Sequence, residues 1–417
     1  MLRWVARRLR TTPVVIALSL ARMSEALGNS LLIVMLPLYV AARPSTLIDL
    51  PREMLIGVMV SAFGFVLAGS MRVAGRLSDR WGHRKWLILT GLLLMALATA
   101  GFPLADGFVT ILALRSLQGI AVALVTVPAL SLISSTTAHD NRGNSLGLYG
   151  SFRMLGFTAG PLVGGLLHHH FGFAAAFLTG SAFILLALVL VHFTVPDDGP
   201  ARPRSPMVAV DDGQEVAGWS GRSRVTLLVL TFGQLVLAAS LSLLGTLENL
   251  FNERLGQSAL AFGVAFSALT ATQIVSQVLV GRLSDRLGRK RLVAIGFALL
   301  GPILLTMASV QTSLQLVLLM MLFGATTACT IAPSLALAGD LAEADNVGRD
   351  MSAITMGFAL GLAVGPLLGG MLASASGLGL PFKVFGGVAL LAAVLMGLFA
   401  TDRYGKSVVG KRADRPK

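Results

Sequence analysis

The chain has 417 residues, 55% of them hydrophobic and only 13% charged, against roughly 25% charged in a soluble domain. A mean hydropathy of +0.79 belongs to the membrane class, and the single cysteine, Cys329, excludes an intramolecular disulfide and a thiolate metal cluster. The net charge of +13 does not point to nucleic acid, because the basic residues lie between apolar runs instead of covering a soluble domain.

The first element is a basic arm, MLRWVARRLR, that leads into an apolar run at about 14–40. It resembles a secretory signal only superficially. The run contains Arg22 and Glu25 and continues well past a signal core, so an uncleaved first helix is expected. Further runs follow at about 54–74, 86–105, 108–135, 145–167 and 173–195. Residues 196–224, rich in Pro, Asp, Arg and Gly, read as a flexible cytoplasmic linker. A second set of runs falls at about 225–250, 259–281, 292–310, 314–338, 351–373 and 381–401. Each run approaches or exceeds the roughly 20 residues that span a bilayer, and only a helix satisfies its own backbone hydrogen bonds there. The expectation is an all-α membrane protein of twelve spans. Residues 1–195 form one six-helix bundle, and residues 225–417 form a second one with a basic cytoplasmic tail.

With the N-terminus in the cytoplasm, 25 of the 33 Lys and Arg residues fall on the cytoplasmic side. Only Arg43, Arg52, Arg254 and Lys383 fall opposite, and Arg22, Arg72, Arg115 and Arg153 lie inside spans. This positive-inside asymmetry places both termini in the cytoplasm of a multi-pass cell-membrane protein.

The two halves repeat each other. GRLSDRWGHRK (75–85) recurs as GRLSDRLGRKR (281–291), and residues 140–165 align with 345–370 at an offset of 205. TVPALSL (126–132) is echoed by TIAPSLAL (330–337). An even number of spans per half gives the parallel-repeat arrangement of two-bundle secondary transporters.

The paired cassettes resemble the signature between the second and third helices of the major facilitator superfamily, Gly-x-Leu-Ala/Ser-Asp-Arg-x-Gly-Arg-Arg/Lys-Lys/Arg. The resemblance covers nearly the whole chain, although His83 stands where Arg or Lys is usual. It implies that fold and a transporter activity. The cassettes supply Gly75, Asp79, Arg80 and Gly82 in the first half and Gly281, Asp285, Arg286 and Gly288 in the second. Gly75 and Gly281 are expected to permit a tight turn and close backbone approach. Asp79 and Asp285 are expected to face helix N-termini of the opposite half, near Asp350–Ser352 and Asn144–Ser145, and latch the cytoplasmic side. A topology-setting turn is the alternative.

GFTAGPLVGG (156–165) resembles the Gly-x-x-x-Gly-Pro-x-x-Gly-Gly motif associated with export against a proton flow. Gly156, Gly160 and Gly164 lie one turn apart as a strip for close helix approach, and Pro161 favours a kink. Gly361, Gly365, Pro366 and Gly369 repeat the strip in the eleventh span, so general packing remains the other reading. RSLQG, with Arg115 and Gln118, resembles the Arg-x-x-Gln-Gly element of proton-coupled branches. Arg115 is thus either tied to proton coupling or bridged to a buried acid or carbonyls.

Among the candidate cavity residues, Ser19, Arg22, Glu25 and Asn29 form a polar stripe on the first helix. Glu25 lies roughly 17 Å along its run, near the bilayer midplane, where an ionisable group is a functional candidate. It is a proton carrier, an anchor for a cationic substrate or a permanently paired charge. Arg153 follows Tyr149 by one turn, and Gln234, Gln273 and Gln277 add neutral polar groups in the second half. Glu248 and Asn249 lie near the outer end of the seventh span. Charged candidates therefore cluster in the first half, which suggests proton handling there and substrate choice in the second.

No metal site is expected from His168, His169 and His170, which do not share a helical face. No Gly-x4-Gly-Lys-Ser/Thr loop or nucleophile–base arrangement appears, so neither ATP-driven transport, an enzyme nor a cofactor is expected. The leading reading is proton-coupled efflux of small hydrophobic or cationic compounds by a monomer in the lipid bilayer, with the compound and protons as its partners. The alternative is a symporter or facilitator importing a metabolite, although no Pro-Glu-Ser-Pro-Arg sugar-porter element follows the sixth run. A sensor or scaffold would leave the charges within the spans without a use.

Overall fold

A computed structural model describes residues 11–42, 50–137, 141–197, 221–341 and 347–401, and these residues form no strand. The first half contains α1 (Pro13–Ala41), α2 (Arg52–Trp81), α3 (Arg84–Gly101), α4 (Phe108–Thr136) and α5 (Arg142–Thr194). The second contains α6 (Gly221–Thr246), α7 (Glu248–Leu255), α8 (Ala259–Leu287), α9 (Arg289–Met307), α10 (Ser313–Leu341), α11 (Val347–Ser376) and α12 (Gly379–Phe399).

Local chemistry sets several of these ends. Thr12 caps α1, its side chain accepting from the Val15 amide at 3.4 Å, and Pro13 occupies the first turn, where a missing N–H costs little. The second half uses Ser258 similarly, accepting from the Ala261 amide at 3.4 Å to start α8. Gly82 ends α2 with φ 71°, a left-handed conformation that favours glycine.

Among the described residues, eleven helices are long and apolar enough to cross a membrane. One of them, Asn144–Thr194, has 51 residues, more than twice the roughly 20 a bilayer needs. Gly172, at φ 79° and ψ −176°, breaks it into the fifth and sixth spans, so all twelve expected runs have a helix. Helical dihedrals continue through Pro161; the break that separates the two arms of α5 is at Gly172.

Two boundaries differ in detail. The seventh run, expected to reach residue 250, ends at Thr246; Leu247 leaves helical geometry (φ −100°, ψ 18°), and ENLFNERL forms the separate helix α7. Of the 196–224 linker, residues 198–220 lie outside the described residues, and Gly221–Arg224 already belong to α6. The basic arm and most of the tail also lie outside them.

Below, the near side is the one where α1 begins and the far side the one where it ends. Within the first half, the strip of Gly156, Gly160 and Gly164 on α5 lies against Met23, Leu27, Ser30 and Leu31 of α1. Gly361, Gly365 and Gly369 of α11 lie against Leu235, Ala239 and Leu243 of α6 in the same way. The removal of Cβ atoms lets these helix backbones nearly touch. Ser30 takes part by donating to the Gly156 carbonyl at 3.3 Å.

The halves meet on the far side through two seams related by the repeat. Gly57 of α2 faces the Pro366 carbonyl of α11, and Gly370 faces Glu53. Gly263 of α8 faces the Pro161 carbonyl of α5, and Gly165 faces Leu260. Each Gly-Pro-x-x-Gly-Gly element therefore presents one face to its own half and another to the opposite half.

Candidate functional site

A cavity of about 430 Å³ lies between the two halves. Helices α1, α2, α4 and α5 wall one side, and α6, α8, α10 and α11 wall the other. Nearer the far side, α2 and α11 touch at Gly57 and Gly64; beyond, Ala68, Met71, Ile354 and Thr355 line the cavity instead. The close approach of α2 and α11 thus closes the cavity on the far side.

Most of the wall is apolar, including Leu32, Met59, Phe157, Phe266 and Phe358. Its charged lining groups are Arg115 and Arg153, both from the first half, and no Asp or Glu among the described residues lines it. The second half supplies neutral polar groups, among them Gln234, Ser242, Thr246 and Gln273.

Arg115 is 8% exposed and its guanidinium sits 4.1 Å over the Phe63 ring, a favourable stacking of cation on aromatic face. Its Nη1 donates to Gln118 Oε1 at 2.8 Å. The Gln118 amide nitrogen donates to Thr99 Oγ1 at 2.8 Å, and that hydroxyl donates to the Met95 carbonyl at 2.7 Å. The Arg-x-x-Gln spacing thus braces Arg115 from its own helix and ties the brace to α3. The Nε of Arg115 has no partner among the described residues.

Arg153 is half-buried, with its guanidinium 5.7 Å from the Phe157 ring. It lies close enough to Arg22, Glu25 and Tyr149 to feel their charges. Gln234 is fixed by two donations from Nε2, to the Thr330 carbonyl at 3.2 Å and Ser334 Oγ at 3.1 Å.

Several expected cavity residues lie elsewhere. Arg22 and Glu25 are paired at 2.6 Å and face the interior of the first half, beside Leu92, Val125, Ala129 and Tyr149. The void beside them is about 10 Å³, room for one water at most. Their stripe is turned inward because the other faces of α1 are occupied. The glycine strip of α5 covers one, Gly180 of the sixth span lies against Gly28, and Leu32 and Leu36 take the cavity face. Asn29 is also off the cavity wall, with an unpartnered Oδ1 among the described residues. Gln118 is fully buried as the brace of Arg115, and Gln277, one turn beyond Gln273, is exposed and off the wall.

The cassettes also differ from expectation. Gly75 and Gly281 lie inside α2 and α8; a Cβ on Gly75 meets only Val127 at 3.9 Å, and one on Gly281 meets nothing within 4 Å. The turns are made by Gly82 and Gly288, with φ of 71° and 89°. Arg84 donates to Ser135 Oγ at 3.5 Å, and in the second cassette Arg289, the repeat counterpart of His83, donates to the Ala336 carbonyl at 2.7 Å, tying each cassette to its own half. Asp79 and Arg80 are exposed, and Asp79 makes no ion pair or hydrogen bond with a described residue. The side chains of Asp285, Arg286 and Asp350–Ser352 lie outside the described ones. Among the described residues no group of three or more His, Cys, Asp or Glu is placed to hold a metal.

Sequence reasoning missed Gly57 and Gly263, whose opposite partners are distant in sequence, and Phe63 and Phe157 beneath the arginines. Phe157 follows Arg153 by one helical turn, a spacing that was readable; Phe63 lies on another helix and carried no such signal.

The family model of the Major Facilitator Superfamily matches residues 18–232 and 230–416. A multi-drug resistance efflux pump PmrA homolog from Lactococcus lactis subsp. lactis is 29% identical over 302 residues, covering 72% of this chain and 73% of that protein. The multidrug resistance protein MdtG of Salmonella arizonae is 27% identical over 323 residues, covering 77% and 79%. Among solved structures, a bacterial homolog of the human lysosomal transporter Spinster superimposes with a TM-score of 0.76 at 15% identity, covering 93% of this chain and 97% of that one.

Proposed function

The chain belongs to the major facilitator superfamily, and from that membership we propose that it is a proton-coupled exporter of small hydrophobic or cationic compounds. It is a secondary transporter, and the observation that carries the reading is a largely apolar cavity between two halves, closed on the far side by the α2–α11 and α5–α8 seams. The names of the Lactococcus and Salmonella relatives support efflux as the direction.

The near side is cytoplasmic, as the distribution of Lys and Arg argues, and the protein acts as a monomer in the cell membrane. Cargo enters from the cytoplasm. Rocking of the halves then parts the far-side seams and draws the cassettes together. In that second state Asp79 meets the start of α11, and Asp285 meets the start of α5, each carboxylate at a helix N-terminus. Arg115, braced by Gln118, and the buried Arg22–Glu25 pair are the groups assigned to proton coupling.

The test is transport by proteoliposomes under an imposed pH gradient, read with a panel of hydrophobic and cationic dyes. Gradient-dependent accumulation against the dye concentration supports the proposal. Transport of none of the panel, with gradient-driven uptake of a metabolite in the proton's direction, overturns it in favour of import.

A further inference from the structure

We propose that the central cavity selects amphipathic organic anions over cations with the same apolar body, and that Arg115 and Arg153 hold the anionic group. The assignment keeps the apolar body of the cargo proposed above but replaces its cationic class with an anionic one, and it rests on that cavity being the transport site.

The first argument is a charge count. Two guanidinium groups line the cavity and no carboxylate among the described residues does. Guanidinium keeps its proton throughout the physiological range, so neither positive charge is removed by deprotonation. The carboxylate that sequence spacing puts nearest is Glu25, but it is 2% exposed, bonded to Arg22 at 2.6 Å, and turned to the small void inside the first half. The cluster of Arg22, Glu25 and Arg153 therefore keeps one net positive charge, and that excess belongs to the member on the cavity wall.

The second argument is hydrogen-bond demand. Arg115 carries five N–H donors. Its side-chain partner is a neutral amide oxygen on Gln118, and its Nε has no partner among the described residues. Arg153 makes no hydrogen bond or ion pair with a described residue; its neighbour is the face of Phe157. Arg115 is buried with no carboxylate bonded to it, and Arg153 is half-buried with the nearby Glu25 bonded to Arg22 instead, so a carboxylate, sulfonate or phosphonate on the cargo would supply charge and acceptors to both. A cationic cargo would add a like charge to the same low-dielectric wall.

The remaining wall fixes the rest of the molecule. Phe157, Phe266, Phe358 and Met59 offer an apolar bed, while Gln234 and Gln273 place neutral amides on the opposite half. The 430 Å³ volume lies within the range of drug-sized sites, about 300–1,000 Å³. The complementary ligand is an aromatic or aliphatic body with one terminal anion.

The experiment compares three probes on one naphthalene body, carrying a sulfonate, a carboxamide or a trimethylammonium group, bound to the full-length protein in nanodiscs. The sulfonate is expected to bind at least about tenfold more tightly than the trimethylammonium probe, the smaller end of what a charge-assisted hydrogen bond supplies. That preference should fall in Arg153→Gln and in Arg115→Gln, persist in Arg153→Lys, and invert in Arg153→Glu. The lysine and glutamate variants separate a charge effect from a packing effect at the same position.

Equal or tighter binding of trimethylammonium, binding of none of the three, or a sulfonate preference that survives both glutamine variants overturns the assignment. Transport of the same probes in proteoliposomes reads the export proposal separately. Transport without a charge preference leaves export standing and removes the anion assignment. Sulfonate-selective binding without transport supports the anion assignment and removes export.

Discussion

Gly57→Ala tests the far-side seam with the smallest possible wedge. A Cβ at residue 57 would lie 2.5 Å from the Pro366 carbonyl oxygen, 3.2 Å from its carbon and 3.4 Å from Gly370 Cα. All three obstacles are backbone atoms, so no rotamer change relieves them. Carbon and oxygen settle at about 3.3 Å or more, so α2 and α11 must part by nearly 1 Å. Overpacking of this kind costs about 1–3 kcal/mol. The seam exists only when the far side is closed, so the cost falls on that state and spares the opposite one. A penalty of about 2 kcal/mol moves the equilibrium roughly 30-fold towards the far-open state, and inverting a 99:1 ratio takes about 5.5 kcal/mol. The double variant Gly57→Ala/Gly263→Ala, which wedges both seams, should therefore shift the population further. Spin labels at Leu104→Cys and Leu314→Cys, in a Cys329→Ser background, report the far side; these positions are 80% and 68% exposed. Pulsed electron–electron resonance should show a longer-distance population growing from parent to single to double variant. An unchanged distance distribution in folded protein would refute the reasoning.

Other perturbations address the charges. Glu25→Gln leaves Arg22 buried without its 2.6 Å partner and should lower stability by about 3–5 kcal/mol in detergent unfolding, with recovery in Arg22→Met/Glu25→Gln. If Glu25 also carries the transported proton, the pH profile of transport changes in Glu25→Gln; an unchanged profile leaves it only a structural role. Gln118→Leu removes the brace between Arg115 and Thr99 and should cost about 1–3 kcal/mol, measured as a lower unfolding midpoint. Glu248, outside the spans on α7, is fully buried, with one weak donation from Asn252 at 3.4 Å and an unpartnered Oε2 among the described residues. Burial pushes its carboxyl well above the usual range, partly countered by the Asn252 hydrogen bond. The folded state then holds a proton that the unfolded chain releases near pH 4.3, so stability should fall as pH rises from about 4.3 through the raised pKa. Glu248→Gln should flatten that fall and raise the unfolding midpoint at alkaline pH; a slope equal to the parent's would contradict the assignment.

The spans were legible because runs of about 20 apolar residues have one solution in a bilayer, and the duplicated cassettes reported the two-bundle plan. The polar stripe of α1 was legible as a stripe but not in its direction. Spacing puts Ser19, Arg22, Glu25 and Asn29 on related faces, yet the glycines of α5 and of the sixth span decide which face is left for the cavity. Gln273 and Gln277 show the same limit: four residues apart on α8, one reaches the wall and the other does not. The turn of each cassette was placed at its first glycine when the positive φ belongs to Gly82 and Gly288. Glycine identity marks permission for such a turn, and the dihedral itself depends on where the helix ends. The seams were least legible, because Gly57–Pro366 and Gly263–Pro161 pair residues more than 100 positions apart.

Proton coupling is tested most directly by letting the cargo drive the proton. Proteoliposomes holding a pH-sensitive dye, with no initial pH difference, receive an outward gradient of a transported compound. Antiport predicts proton movement opposite to the compound, stoichiometric with its efflux and collapsed by a protonophore. Proton movement in the compound's own direction, or compound efflux with no proton movement, would contradict the account.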